Sequence, residues 1–178
     1  MMASTCIRDA LFFVLLIKVA HCGQSHTPRD DIEDITRFYS SGAKIVTLNT
    51  TMGQTECKTD VVTSAGGQSA QFTRSFRSTP QKTPLNLKGT FKNDRYLLQE
   101  VPFDVMDVTN NGHPYSKERL LHTFYNGDCG IFSVSKKWGG RDTNYDLRVK
   151  TGKHNYKLCY DRFLSDTARA GLTSRTAC

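Results

Sequence analysis

The side chains with the most chemistry in this sequence are cysteines. Cys57, Cys129, Cys159 and Cys178 are spread through the body of the chain, with Cys6 and Cys22 close to its start. No two of the four lie at the C-x-x-C spacing of a zinc site. In an oxidising compartment an even number of them predicts two disulfides, and the residues alone leave three connectivities open. Histidines 26, 113, 122 and 154 are scattered. There is no G-x-S-x-G elbow and no H-E-x-x-H pair. With the four cysteines bridged, none of them is left as a nucleophilic thiol. The expectation is a protein with no catalytic residue, no metal and no cofactor. Asn49-Thr50-Thr51 is the lone N-x-S/T sequon, and it marks Asn49 as a surface glycosylation site.

The disulfide reading depends on the compartment, and the first segment supplies one. In residues 1–22 Arg8 precedes an apolar run from Ala10 to Ile17, and small residues Ala20 and Cys22 lie before Gly23. That run is too short to cross a bilayer and suits the core of a signal peptide. The expected organisation is a signal peptide over 1–22 and one secreted domain over 23–178. No later stretch approaches the roughly 18 apolar residues of a membrane span.

The elements that must hold these side chains are mostly strands. Ile32, Ile35, Phe38 and Tyr39 share one face of a short amphipathic helix over Asp30 to Gly42. After it the period changes from 3.6 to 2. Strands are expected over Lys44–Thr50, Thr55–Ser64, Ser69–Ser78, Leu85–Phe91, Tyr96–Val108, Lys117–Tyr125, Gly130–Lys136 and Tyr145–Lys150. Turn signals such as Gly66-Gly67, Asn110-Asn111-Gly112 and Asn126-Gly127 separate them. A second helix is expected over Tyr156 to Ala168. Eight strands with hairpin-length connections favour an all-β fold, an eight-stranded antiparallel barrel with room for one small ligand, over a sandwich.

Composition narrows the class without choosing a partner. The 178 residues carry 38% hydrophobic and 23% charged side chains and a net charge of +7. Mean hydropathy is −0.47 and the pI about 9.2. A multispan membrane protein is excluded, and 10% aromatic residues argue against disorder. The positive charge alone does not make a nucleic-acid binder: no such motif is present, and no nucleic-acid partner is expected.

The ordered pieces DDIEDITRFY, KIVTLNTT, TECKTDVV, DCGIFSV, YDLRVK and LCYDRF, with the terminal Cys178, run through the chain from end to end. This set resembles the tick salivary lipocalins, members of the calycin barrels, and within them the japanin-like branch. The G-x-W common near the first lipocalin strand is absent; Gly42 is followed by Ala43 and Lys44. The resemblance implies the pairings Cys57–Cys178 and Cys129–Cys159. It also implies a cholesterol-like ligand and suppression of host dendritic-cell activation, with a host immune-cell protein as a partner.

Strand alternation then sorts the faces. A glycan on Asn49 must point out, so Val46 and Leu48 should point in. Cys129, bonded to an outer helix, places Phe132 on the inside. Phe72 and Phe76 lie together on their strand. Val101, Phe103 and Val105 oppose Glu100 and Asp104 in parity and are assigned inward. The expected lining is apolar, with Asp146 and Arg148 as one polar spot, because a buried charge calls for a partner.

Amine-binding tick lipocalins carry Cys-Asp and an aliphatic residue, then Glu-Leu-Trp, then Cys. Here the sequence reads Cys129-Gly130-Ile131, Asp146-Leu147-Arg148 and Cys159. Gly130 removes one acid, and Arg148 puts a cation where the aromatic stands. Histamine or serotonin scavenging is therefore the lesser reading, and a sterol or fatty acid the leading one. A protein-binding inhibitor that uses the barrel only as scaffold is the rival class.

Overall fold

The computed structural model describes residues 33–53, 57–77, 82–94, 102–136, 143–153 and 155–178. The expected signal peptide, the start of the expected first helix and Val101 lie outside these residues. Helix α1 is Ile35–Phe38 and helix α2 is Lys157–Arg169. The strands are β1 Lys44–Thr50, β2 Cys57–Gly66, β3 Ser69–Arg77, β4 Leu85–Lys92, β5 Val105–Asn110, β6 His113–Phe124, β7 Cys129–Ser135, β8 Asn144–Lys150 and the two-residue β9 Arg175–Thr176.

Strands β2 to β8 pair in chain order, and β1 pairs antiparallel with both β8 and β2, closing an eight-stranded barrel. Closure leaves none of the eight with an open edge. Short β9 adds to β1 at Asn49 and Thr50. The β5–β6 hairpin turns on Asn111 and Gly112, both at positive φ (49° and 80°), the backbone that a two-residue turn of this twist requires.

The element boundaries differ from expectation where local chemistry intervenes. The fifth strand begins at Val105, because Pro102 has no N–H to give a ladder and the Phe103 carbonyl is taken by the Ile35 N–H at 2.9 Å. The sixth starts four residues earlier than expected, at His113, directly after the tight turn. It stops at Phe124, because Tyr125 and Asn126 take positive φ. The first helix is a single turn, with Asp34 accepting from the Thr36 N–H at 3.0 Å as its cap.

Two apolar clusters form. One fills the barrel around Phe38, Tyr39, Phe72, Leu120 and Phe132. The other lies outside, where α2 lays Phe163 over Phe124, Ile131, Leu147 and Val149, with Leu48 packed against it. The Cys129–Cys159 disulfide ties α2 to β7 within that outer cluster, and Cys57–Cys178 ties the C-terminal tail to the start of β2. No helix among the described residues is long and apolar enough to cross a membrane.

Candidate ligand-binding cavity

The barrel interior is built in three layers, each strand contributing residues two apart. On β3 the inward side chains are Phe72, Arg74 and Phe76; on β2, Val62, Asp60 and Lys58; on β6, Leu120, Glu118 and Ser116. The lateral pairs Asp60–Arg74 and Lys58–Phe76 keep these rows level. The first member of each set is apolar, the second is charged, and the third lines a cavity.

The apolar layer is plugged by α1. Phe38 meets Phe132 edge-on at 5.0 Å, and Tyr39 lies 5.3 Å from Phe72. Ile35, Phe38 and Tyr39 are at most 1% exposed. This end is closed by side chains.

The middle layer holds a buried ion network of three cations and three anions, counting Lys58, which reaches it from the cavity-lining layer. Arg74 grips Asp60 through two bonds of 2.7 Å and donates to Glu118 at 2.9 Å. Arg148 donates to Glu118, to Asp146 at 2.9 Å and to the Tyr39 hydroxyl at 2.7 Å. Tyr39 in turn donates to Asp60 at 2.8 Å. Lys58 donates to Asp146 at 2.6 Å, and Thr50 donates to the other Asp146 oxygen at 2.7 Å. The Arg148 guanidinium lies 4.5 Å above the Phe132 ring. Its Nε has no hydrogen-bond partner among the described residues.

The network sets its own ionisation. Burial pushes the Asp146 carboxyl up, but Lys58 and Arg148 outweigh it and hold the pKa at about 2. Burial likewise raises Glu118, and Arg148 and Arg74 overcome it, holding that acid well below the usual range. Lys58 has one carboxylate where Asp146 has two cations, so burial prevails and its pKa is lowered. Burial also raises the Tyr39 phenol, which stays protonated as a donor.

The third layer opens into a cavity of about 520 Å³. Its apolar walls are Met52, Phe76, Leu85, Tyr115 and Val134; its polar lining is Thr50, Lys58, Arg74, Lys82, Thr83, Ser116 and Lys136. The volume lies within the roughly 300–1,000 Å³ range of small-molecule sites. Among the described residues that line it, four are cationic and none is a carboxylate. Among the described residues no group of His, Cys, Asp and Glu could hold a metal ion.

The structure separates the residues expected to line one pocket. Phe76 lines the cavity. Phe72 and Phe132 belong to the plugged layer and meet α1 instead of open space. Asp146 and Arg148 pair, but within a six-membered network beneath the cavity. Phe103 is half-buried beside the plug, and its carbonyl accepts from Ile35 N–H at 2.9 Å.

Val46 and Leu48 face outward. Val46 shares a lateral row with Val149, while Leu48 packs beneath α2. The expectation failed because Leu48 is an extra residue in a bulge between Thr47 and Asn49, so Leu48 and Asn49 both open to the outer side. Ile45 and Thr50 point inward instead. Val105 shares its row with Lys92 and Arg119 on the outer face, and Met106 and Val108 fill the interior. There the parity was counted through Pro102–Asp104, which is not strand.

Lys58, Asp60, Arg74 and Glu118 went unrecognised. Their signal was present: Asp60, Arg74 and Glu118 each stand two positions from a buried apolar residue of the same parity, Val62, Phe72 and Leu120, and Lys58 stands two further along from Asp60. Gly130 explains itself. A Cβ there would meet Leu120 Cδ1 at 2.9 Å, Phe38 Cε2 at 3.1 Å and the His122 carbonyl at 3.3 Å. The wall that bears an acid in the amine-binding pattern is filled here.

A closed eight-stranded antiparallel barrel, plugged at one end by an N-terminal helix, open at the other and backed by a C-terminal helix, is the lipocalin fold. A structural likeness supports that assignment: the siderocalin Ex-FABP, which functions through dual ligand specificities, superposes with a TM-score of 0.55 at 9% identity, over 74% of this chain and 87% of its own. No protein-family model and no curated protein sequence matches the chain.

Proposed function

We propose that the protein is a secreted carrier that sequesters one small hydrophobic ligand in its barrel and thereby modulates a host response. The observation that carries this reading is the 520 Å³ cavity at the open end, walled by Met52, Phe76, Leu85, Tyr115 and Val134 over a polar floor. Apolar walls with a few polar groups suit a lipid-like molecule with one polar end, such as a sterol or a fatty acid. The resemblance to tick salivary lipocalins favours cholesterol and action on dendritic cells. Secretion is supported by the leader-like 1–22 segment and by two disulfides. Binding in place of catalysis is supported by the engagement of the barrel acids Asp60, Glu118 and Asp146 by cations and of Cys57, Cys129, Cys159 and Cys178 in bridges.

Amine scavenging finds less support. An ammonium in this cavity would meet Lys58, Arg74, Lys82 and Lys136, while Asp60, Glu118 and Asp146 are occupied by internal cations. The test is organic extraction and mass spectrometry of protein secreted from eukaryotic cells. One lipid at near-stoichiometric amount is expected. Protein that emerges empty, binds no added lipid and still suppresses dendritic-cell activation would instead favour the scaffold-inhibitor reading.

A further inference from the structure

The order of the layers bears on which end of a ligand enters first. Lys58 stands at the cavity floor with a side chain 10% exposed, and Asp146 occupies one of its three ammonium protons. Arg74 beside it is 3% exposed and uses four of its five N–H donors on Asp60 and Glu118. Thr50 and Ser116 add hydroxyls to the same floor. The apolar walls rise above this floor, and Lys82 and Lys136 stand exposed at the rim.

An alkyl terminus pressed onto that floor would desolvate charged groups with nothing in return. A polar head set there meets an ammonium with donor capacity to spare, while its tail runs along Met52, Phe76, Leu85, Tyr115 and Val134. The sign of the head follows from the lining. Each carboxylate below the cavity is already neutralised by a cation of the network, and no carboxylate lines the cavity among the described residues. A cationic head is repelled, a neutral one gains a hydrogen bond, and an anionic one gains a charge-assisted bond in a partly desolvated site.

We infer that the cavity selects a monocarboxylate amphiphile, bound head-down with its carboxylate on Lys58 and its tail toward the mouth. Lys82 and Lys136 draw the anion in: exposed rim charges act on encounter more than on residence. This inference rests on the carrier reading and narrows it to an acid in preference to a sterol.

Titration of the delipidated full-length secreted protein with dodecanoic acid, dodecanol and dodecylamine separates the two. The acid is expected to bind about tenfold tighter than the alcohol, and the amine weakest. The acid's advantage should shrink several-fold in about 1 M salt, where the screening length falls to roughly 3 Å. Lys58→Gln should lower acid affinity about tenfold and alcohol affinity much less. Lys82→Gln combined with Lys136→Gln, both at exposed positions, should slow acid association more than it speeds dissociation. Alcohol binding equal to or tighter than acid binding overturns the inference and leaves the carrier reading standing, as does tightest binding of the amine. If no lipid binds, the carrier reading falls and takes this one with it. The wild-type comparison decides the matter even if Lys58→Gln does not fold.

Discussion

Arg148 shows what a single residue carries in this barrel. It bridges Glu118 and Asp146 and is 1% exposed. Arg148→Met keeps the bulk and removes the charge, leaving three buried anions against two cations. Breaking one partner of a buried network typically costs about 3–5 kcal/mol, and urea unfolding should show a loss of that order. Adding Glu118→Gln restores neutrality and should recover part of it; a double variant no more stable than the single would contradict the network. Asp146 gives the pH dependence. Its folded pKa of about 2 lies below the unfolded value of roughly 3.9. Its stabilisation is therefore complete above about pH 4 and is lost as pH falls toward 2, on the order of 2 kcal/mol. The wild-type advantage over Asp146→Asn in urea midpoint should shrink across that window; a constant gap would refute the assignment. Gly130→Asp tests the amine question. With backbone and ring atoms crowding the added Cβ, the variant should lose about 1–3 kcal/mol and gain no histamine affinity by calorimetry. Asp146 and Arg148 were legible as a pair because they stand two apart on one strand. Their charged partners come from β2 and β6, with Arg74 of β3 joined through Glu118, and no local pattern announces which strands lie opposite one another.

At the scale of elements, periodicity located most strands to within a few residues and failed where the ladder is interrupted. The bulge at Leu48 reversed the face assignment of β1, and the irregular backbone between Phe103 and Met106 reversed that of Val105, because a period of two carries no memory across an inserted residue or a stretch that is not strand. The last helix was legible in extent, but what it covers was not. Phe163 is fully buried under α2, against a wall formed by β6, β7 and β8. Phe163→Ala should cost about 3–5 kcal/mol in urea unfolding, because the disulfide to Cys159 keeps the helix near while the cavity stays unfilled. A change below 1 kcal/mol would mean that the helix is held by its disulfide and little else.

For the whole molecule the consequence of layering is that stability and binding reside in different storeys of one barrel. The plug formed by Phe38 and Tyr39 is divided from the cavity by the ion network, so among the described residues the two ends are separate. A lining read from apolar parity merged these storeys, because Phe72, Phe76 and Phe132 look alike in sequence and differ only in height along the barrel axis. Phe38→Ala should therefore lower stability by about 3–5 kcal/mol, yet leave the affinity for a bound lipid within about twofold of wild type. Leu85→Ala, at a half-buried wall position of the cavity, should do the reverse: a small loss of stability, and a loss of affinity from the apolar area it no longer offers, on the order of tenfold. Ligand-induced stabilisation reads both at once, since a ligand at a hundred times its Kd adds about 2.7 kcal/mol whatever the starting stability. The thermal shift with saturating dodecanoic acid should thus survive in Phe38→Ala at a lower baseline and diminish in Leu85→Ala. If Phe38→Ala abolished the shift while remaining folded, the plug and the cavity would be one continuous site and the network no barrier between them.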